Sequence, residues 1–403
     1  MRTRRILFSA GAVVLTLAAT ESLCVMVIRV SRPLLTEQIR STGDIFREQS
    51  SRIERLIASD SGDGLLALDP LLGWRYRAGY HDSVNTINAQ GVRGSRIYSP
   101  AHAPSVLRVA ALGDSFVYGN EVADADAWPA QVERLFPQLE VLNYGVGGYG
   151  VDQAYLRFLR DGTALSPQVV VIGFTTDDLR RLVNVYRRFI SNREYPLVKP
   201  RFRFDDRGDL ELVPNAAARR SDYARYLREP RAVIELGTYD DWYQPAVYQE
   251  PLYDYSATVR LLTALWIRVS NRYLTPNRMY RHGEFNTSST AYRIQVALFD
   301  RFVAAVERTG ARPLVALLPD RESVARARLG GHPIFQPLVE ALATRRIPYV
   351  DLTRAFADTR APGTVDDWFM QGGHYSPAGN AIVARWLGRE LLSGVAPTVV
   401  AGR

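Results

Sequence analysis

Two short stretches hold the residue types from which nucleophilic acyl chemistry is built. Gly113-Asp114-Ser115 ends an apolar run at 106–112, and His374 lies in Gly373-His374-Tyr375-Ser376-Pro377-Ala378-Gly379-Asn380. A serine hydroxyl is a poor nucleophile until a base takes its proton, so Ser115 needs a partner such as His374. Each motif alone has an ordinary structural explanation. Asp114 or Ser115 can cap a helix after a strand, and a histidine before a helix can be a capping or surface residue. Their chemical meaning depends on being brought together.

The elements around them give each a defined place. The run at 106–112 is apolar without alternation, as a parallel strand buried on both faces requires. Ser115 then leaves the strand's carboxyl edge, where open α/β sheets bind ligands. Ser376 is a good N-cap and Pro377 a good first helical residue, so a last helix is predicted through 382–391, with His374 on the loop before it. Further strands are expected at 139–143, 168–174, 313–318 and 347–351, alternating with helices at 128–136, 151–159, 294–306 and 334–344. This alternation predicts an α/β fold with a doubly wound, mostly parallel sheet. It lapses at about 180–290, a stretch with a hairpin near Asp206 and a helix at 256–274. So long an insertion is expected to form a lid or substrate wall. In that helix Leu261, Leu262, Leu265, Trp266 and Val269 form a stripe expected to pack in the core rather than against a membrane. The lead-in region, 29–105, is expected to hold a helix near 37–57 and a hairpin packed beside the main domain; no acid–base chemistry is legible in it.

At the amino terminus Arg2, Arg4 and Arg5 precede an apolar segment, 6–28, long enough to cross a bilayer. Glu21 and Ser22 interrupt it. Ala18-Ala19-Thr20-Glu21 makes a poor cleavage site, so an uncleaved anchor is expected rather than a signal peptide. Residues 1–5 would then be a cytoplasmic tail of a single-pass protein of the bacterial inner membrane, its main domain periplasmic or otherwise extracytoplasmic. The net charge of +8 is scattered along the chain, which argues against nucleic acid as a partner but permits attraction to anionic lipid or polysaccharide. The single cysteine, Cys24, lies in the apolar segment, so the rest of the chain has no disulfide, thiolate metal site or cysteine nucleophile. No metal site is legible and no cofactor is expected. Gly145-Val146-Gly147-Gly148-Tyr149-Gly150 fits the G-x-G-x-x-G dinucleotide fingerprint. It follows the second strand of its unit rather than the first, and an extracytoplasmic domain meets little dinucleotide.

From about 106 to 391 the chain resembles the SGNH (GDSL) hydrolase family. The likeness rests on Gly113-Asp114-Ser115, on Asn143-Tyr144-Gly145 after a strand, and on His374 opening the last helix. The amino-terminal segment and Leu72-Gly73-Trp74-Arg75 resemble the family's membrane-tethered bacterial branch. The resemblance implies a three-layer, flavodoxin-like sandwich over 106–395. It also implies esterase chemistry, with Ser115 as nucleophile, His374 as base, and the N–H groups of Ser115 and Gly145 holding the oxyanion. Loss of one such donor typically costs ~10²–10³-fold in rate. Two positions depart from the family pattern. Asp177, followed by Asp178, stands where the family has an amide donor. Either Asp177 is protonated, or Thr175 or Thr176 donates instead, or two donors suffice. Gln371 stands where the family has the histidine's aspartate. Asp366 and Asp367 are near enough in sequence to serve, with Asp367 favoured, and a backbone carbonyl is the alternative. The implied substrate is an O-acyl ester, on a cell-surface or extracellular glycan or a small molecule. An O-acyltransferase using the same Ser–His pair is one alternative. Another is an impaired member that binds polysaccharide beside envelope assembly partners.

Overall fold

A computed structural model describes residues 2–31, 39–61, 64–270, 279–358 and 363–394. The chain opens with helix α1 (Arg2–Ser31), α2 (Thr42–Ser61) and an antiparallel hairpin of β1 (Leu66–Asp69) and β2 (Gly73–Tyr76). The main sheet begins at β3 (Leu107–Leu112). It continues through α3 (Ser115–Tyr118), α4 (Trp128–Leu135), β4 (Leu139–Asn143), α5 (Val151–Asp161) and β5 (Val169–Phe174). The insertion contributes α6 (Asp178–Arg181), α7 (Arg187–Ile190), a hairpin of β6 (Arg201–Phe204) and β7 (Leu210–Val213), α8 (Arg220–Arg228), α9 (Pro245–Tyr248) and α10 (Ala257–Val269). After the short pair β8 (Tyr280–Arg281) and β9 (Glu284–Phe285), alternation resumes with α11 (Thr290–Glu307), β10 (Arg312–Leu317), α12 (Arg321–Arg328) and α13 (Gln336–Thr344). The fold closes with β11 (Tyr349–Asp351), α14 (Thr353–Ala357) and α15 (Pro377–Leu392). The first residues of the helix expected at 37–57 and the last of that expected at 256–274 lie outside the described residues.

The sheet order is β11-β10-β5-β3-β4, with every pairing parallel. Its largely apolar strands follow from having two buried faces, and the charges buried within them, Arg108 of β3 and Glu140 of β4, pair with each other at 2.7 Å. Val109, Ala111, Val169, Val171, Leu314 and Ala316 enter a core shared with α4, α14 and α15. Their neighbours Ala110, Leu112, Val170, Ile172, Val315 and Leu317 enter a larger core shared with α5, α11, α13 and the insertion. From β3 the chain goes to β4 on one side and then crosses to β5 on the other. A crevice therefore opens between the carboxyl ends of β3 and β5, where such sheets bind ligands.

Three features of the flanking regions differ from, or add to, the sequence reading. The stripe on α10 faces outward: Leu262, Leu265, Trp266 and Val269 are 59, 56, 60 and 37 % exposed. Its buried positions are Ala257, Ala264 and Ile267, so the small side of the helix packs inward. A 3.6-residue period marks one apolar face and is silent on whether protein covers it. The lead-in hairpin, in turn, reaches the crevice. Trp74 Nε1 donates to the Gly147 carbonyl at 3.0 Å, and the Gly147 N–H donates to the Tyr76 hydroxyl at 3.0 Å. A fully buried pair of Lys199 with Asp152 fastens the insertion to α5; the ammonium also donates to the Arg181 carbonyl at 3.1 Å.

Candidate active site

Ser115 is the first residue of α3, and Asp114 caps that short helix by accepting from the Phe116 N–H at 2.8 Å. The second oxygen of Asp114 accepts from the Thr175 hydroxyl at 3.1 Å and from Arg181 at 2.9 Å. Arg181 also donates to Asp178 at 2.9 Å, and Asp178 accepts the Thr175 N–H at 2.9 Å. Burial first, then the charge of Asp114, pushes the Asp178 carboxyl well above its ordinary value. One guanidinium thus ties the loop after β3 to the loop after β5.

His374 reaches this point from the loop before α15. Its Nε2 lies 2.9 Å from Ser115 Oγ, and its Nδ1 lies 2.6 Å from Glu121 Oε2. The Phe116 ring stands 5.2 Å from the imidazole and fixes its tilt. Glu121 is the histidine's partner here. It also accepts the backbone N–H of Gly372 at 2.8 Å and that of His374 at 3.3 Å. Partial burial pushes the Glu121 carboxyl up, but these hydrogen bonds outweigh it and hold the group below the usual glutamate range. Asp367 does not make this contact. Its carboxylate accepts from Thr364 N at 2.7 Å and Thr364 Oγ1 at 3.0 Å, capping its own turn, while Asp366 pairs with Arg321.

The sequence hides Glu121 because it is only six residues past the nucleophile, too close for a straight helix to return it to the histidine. The return is made by left-handed backbone at Gly119 (φ 88°) and at Glu121 itself (φ 69°). A glutamate with positive φ is uncommon and marks a constrained site. The legible signal was Gly119-Asn120, a turn-forming pair just before it. Arg93, from the lead-in region, locks this loop by donating to the carbonyls of Tyr118, Gly119 and Val122 and to Asp124.

The oxyanion candidates separate. Gly145 is packed so tightly that a Cβ there would lie 2.2 Å from Tyr118 N, and its N–H is taken by Asn143 Oδ1 at 3.0 Å. It does not line the cavity; Gly147 and Gly148 do. Among the described residues no protein group accepts the N–H of Ser115 or of Gly148, a glycine with φ +80°. Thr176 lines the cavity with a buried hydroxyl that has no partner among the described residues, while the Thr175 hydroxyl is committed to Asp114. The Asp177 carboxylate is half exposed and paired with Arg180 at 3.1 Å and Arg181 at 3.6 Å.

The cavity over Ser115 and His374 has a volume of about 1040 Å³. Its walls come from α2, the lead-in hairpin and the insertion as well as the sheet edge. Six arginines line it, Arg52, Arg55, Arg180, Arg181, Arg187 and Arg193, against three acids, Asp177, Glu194 and Asp320. Arg187 is 4 % exposed; it pairs with Glu194 through one nitrogen, and its Nη1 is buried without a partner among the described residues. Among the described residues no group of three or more His, Cys, Asp or Glu side chains is arranged to hold a metal ion.

The profile of the GDSL-like Lipase/Acylhydrolase family matches residues 111–382. Comparison with curated proteins gives no match. Solved structures similar in fold include LAE5, an alpha/beta hydrolase enzyme from the metagenome of Lake Arreo, at 13% identity and TM-score 0.36, covering 73% of this chain and 97% of that one. The lipase/acylhydrolase of Enterococcus faecalis matches at 13% identity and TM-score 0.33, covering 72% and 98%. A single-substitution variant of Axe2, an acetyl xylan esterase of Geobacillus stearothermophilus, matches at 13% identity and TM-score 0.34, covering 73% and 97%.

Proposed function

Since the chain belongs to the GDSL-like Lipase/Acylhydrolase family and is an ester hydrolase, we propose that it works through Ser115, His374 and Glu121 on O-acyl esters of an extracytoplasmic glycan. The observation that carries this reading is the unbroken contact chain from Ser115 Oγ to His374 at 2.9 Å and from His374 to Glu121 at 2.6 Å. Ser115 attacks the ester carbonyl as His374 Nε2 takes the hydroxyl proton, and Glu121 stabilises the imidazolium that forms. The tetrahedral oxyanion is held by the N–H groups of Ser115 and Gly148, with the Thr176 hydroxyl as third donor. Collapse releases the alcohol with the proton returned from His374, and water repeats the cycle on the acyl-serine to release the acid. Asp177, paired with two arginines, takes no part.

The cavity wall supports an acidic glycan as acyl carrier, since a uronate or other anionic sugar would meet the Arg187 guanidinium, whose Nη1 has no partner among the described residues. Helix α1 carries the only span among the described residues, 4–30, long and apolar enough to cross a membrane. Retention of this span as an anchor is supported by Glu21, which is bound to the insertion rather than idle in the apolar segment, and a main domain outside the cytoplasm is supported by Arg2, Arg4 and Arg5 before the span.

The test is a fluorophosphonate probe on the purified protein, read by peptide mass spectrometry. Labelling is expected at Ser115 and should vanish in Ser115→Ala and fall sharply in His374→Ala. Labelling elsewhere, or ester turnover surviving in Ser115→Ala, overturns the mechanism. Acid release from an acetylated polyuronate, measured with and without a second glycan as acceptor, separates hydrolysis from acyl transfer.

A further inference from the structure

The exposed stripe of α10 and the amino-terminal helix meet at one polar point. Glu21, inside the apolar part of α1, accepts from the N–H groups of Ala257 and Thr258 and from the hydroxyls of Ser256 and Thr258, the latter two at 2.8 Å. The two N–H groups are among those that the first turn of a helix leaves without partners, at its positive dipole end. A carboxylate in an apolar segment is costly unless so matched. Along α1 every residue from 4 to 20 is exposed, whereas Glu21, Cys24, Val25, Val27 and Ile28 are partly covered. That spacing is one helix face, and α10 is the helix packed on α1.

Depth follows from helix rise. From Arg4 to Glu21 is about 25 Å at 1.5 Å per residue, against a hydrocarbon core of about 30 Å. Glu21 and the start of α10 therefore fall near the boundary of the bilayer on the side of the folded domain. There α10 turns Leu262, Leu265, Trp266 and Val269 outward, at positions i, i+3, i+4 and i+7. Leu252 and Tyr255, 58 and 88 % exposed just before the helix, extend the patch. A soluble surface rarely carries such a continuous apolar strip, and a tryptophan among leucines suits the headgroup–acyl boundary.

We propose that α10 is an interfacial membrane helix, seated with its Leu262–Leu265–Trp266–Val269 face in lipid and held to the spanning helix by Glu21. The occupant of this face is lipid because the patch continues the bare apolar surface of α1. The consequence is a second fixed point between domain and membrane, which holds the cavity at a set height and tilt instead of on a free tether. This rests on the reading of α1 as a retained span, and the test separates the two.

Full-length protein in the Cys24→Ser background is reconstituted into liposomes and spin-labelled at one introduced cysteine. The sites are Leu265→Cys on α10, Val13→Cys on α1 and Leu329→Cys, 89 % exposed on the main domain. Collision with oxygen and with a water-soluble nickel chelate is measured at each. The expected result is oxygen-rich, nickel-shielded behaviour at 265 and 13, and the reverse at 329. Adding Glu21→Leu should restore nickel access at 265. Nickel access at 265 with shielding at 13 overturns the seating of α10 and leaves the span intact. Nickel access at both shows that α1 does not span. Spin–spin broadening at 265 assigns the face to a second copy and overturns the lipid seat.

Discussion

Glu121→Gln is the substitution that tests the site most sharply. The carboxylate accepts three hydrogen bonds, from His374 Nδ1 and from the N–H groups of Gly372 and His374. A glutamine keeps the shape but offers one acceptor and one donor. If its oxygen serves the imidazole, its NH₂ confronts the Gly372 N–H. If its oxygen serves Gly372, its NH₂ faces Nδ1 and selects the tautomer with the proton on Nε2, which cannot accept from Ser115. Either arrangement spoils the base. Amide replacement of the triad acid in chymotrypsin-type enzymes costs ~10⁴ in kcat. Glu121 is 30 % exposed, so water partly compensates, and the expected loss is ~10²–10⁴-fold in kcat, or about 3–5 kcal/mol of transition-state stabilisation. The assay is steady-state hydrolysis of an aryl acetate, with thermal unfolding as a check on the fold. Asp367→Asn serves as the control and should retain wild-type kcat. The assignment is refuted if Glu121→Gln keeps near-wild-type kcat, or if Asp367→Asn takes the loss instead.

The Glu121 contacts also set a pH window for stability. Because its carboxyl is held below the ordinary 4.5, its contribution is full above pH 4.5 and is lost as pH falls through the depressed value. The gap in thermal midpoint between wild type and Glu121→Gln should therefore close on acidification, and a gap that widens contradicts it. Thr176→Val should lower kcat by ~10²-fold if that hydroxyl meets the oxyanion, with Thr176→Ser restoring it. Asp177→Asn should leave kcat/KM and its pH profile unmoved, and a gain at alkaline pH would return Asp177 to the oxyanion site. Lys199→Met strands a wholly buried Asp152 and should cost about 3–5 kcal/mol in denaturant unfolding. A loss below about 1 kcal/mol would mean that the pair does not hold the insertion.

How much the sequence discloses depends on how local the determining physics is. The strand at 106–112 was legible because burial on both faces leaves Arg108 as its one charged position, and that side chain is paired with Glu140 on the next strand. Ser115 and His374 could be selected because turn and capping residues put both at one sheet edge. Glu121 was not legible, since its reach depends on two left-handed residues and on an arginine from outside the sheet. Gly145 and Gly148 look alike in the sequence; which N–H is left open depends on where Asn143 turns its side chain. The α10 stripe shows the limit of periodicity, because core and lipid ask for the same spacing.

The proposed nucleophile and acid share one short segment, 115–121, clamped by Arg93 from the preceding region, whereas the proposed base arrives 253 residues after Glu121. During synthesis the loop, its clamp and the strands beside it leave the ribosome long before His374. Until α15 docks, the chain holds a serine with no base to activate it. On the proposed mechanism catalytic competence is thus the last property the polypeptide acquires, and a chain that stops short of the final helix is born inert rather than half active.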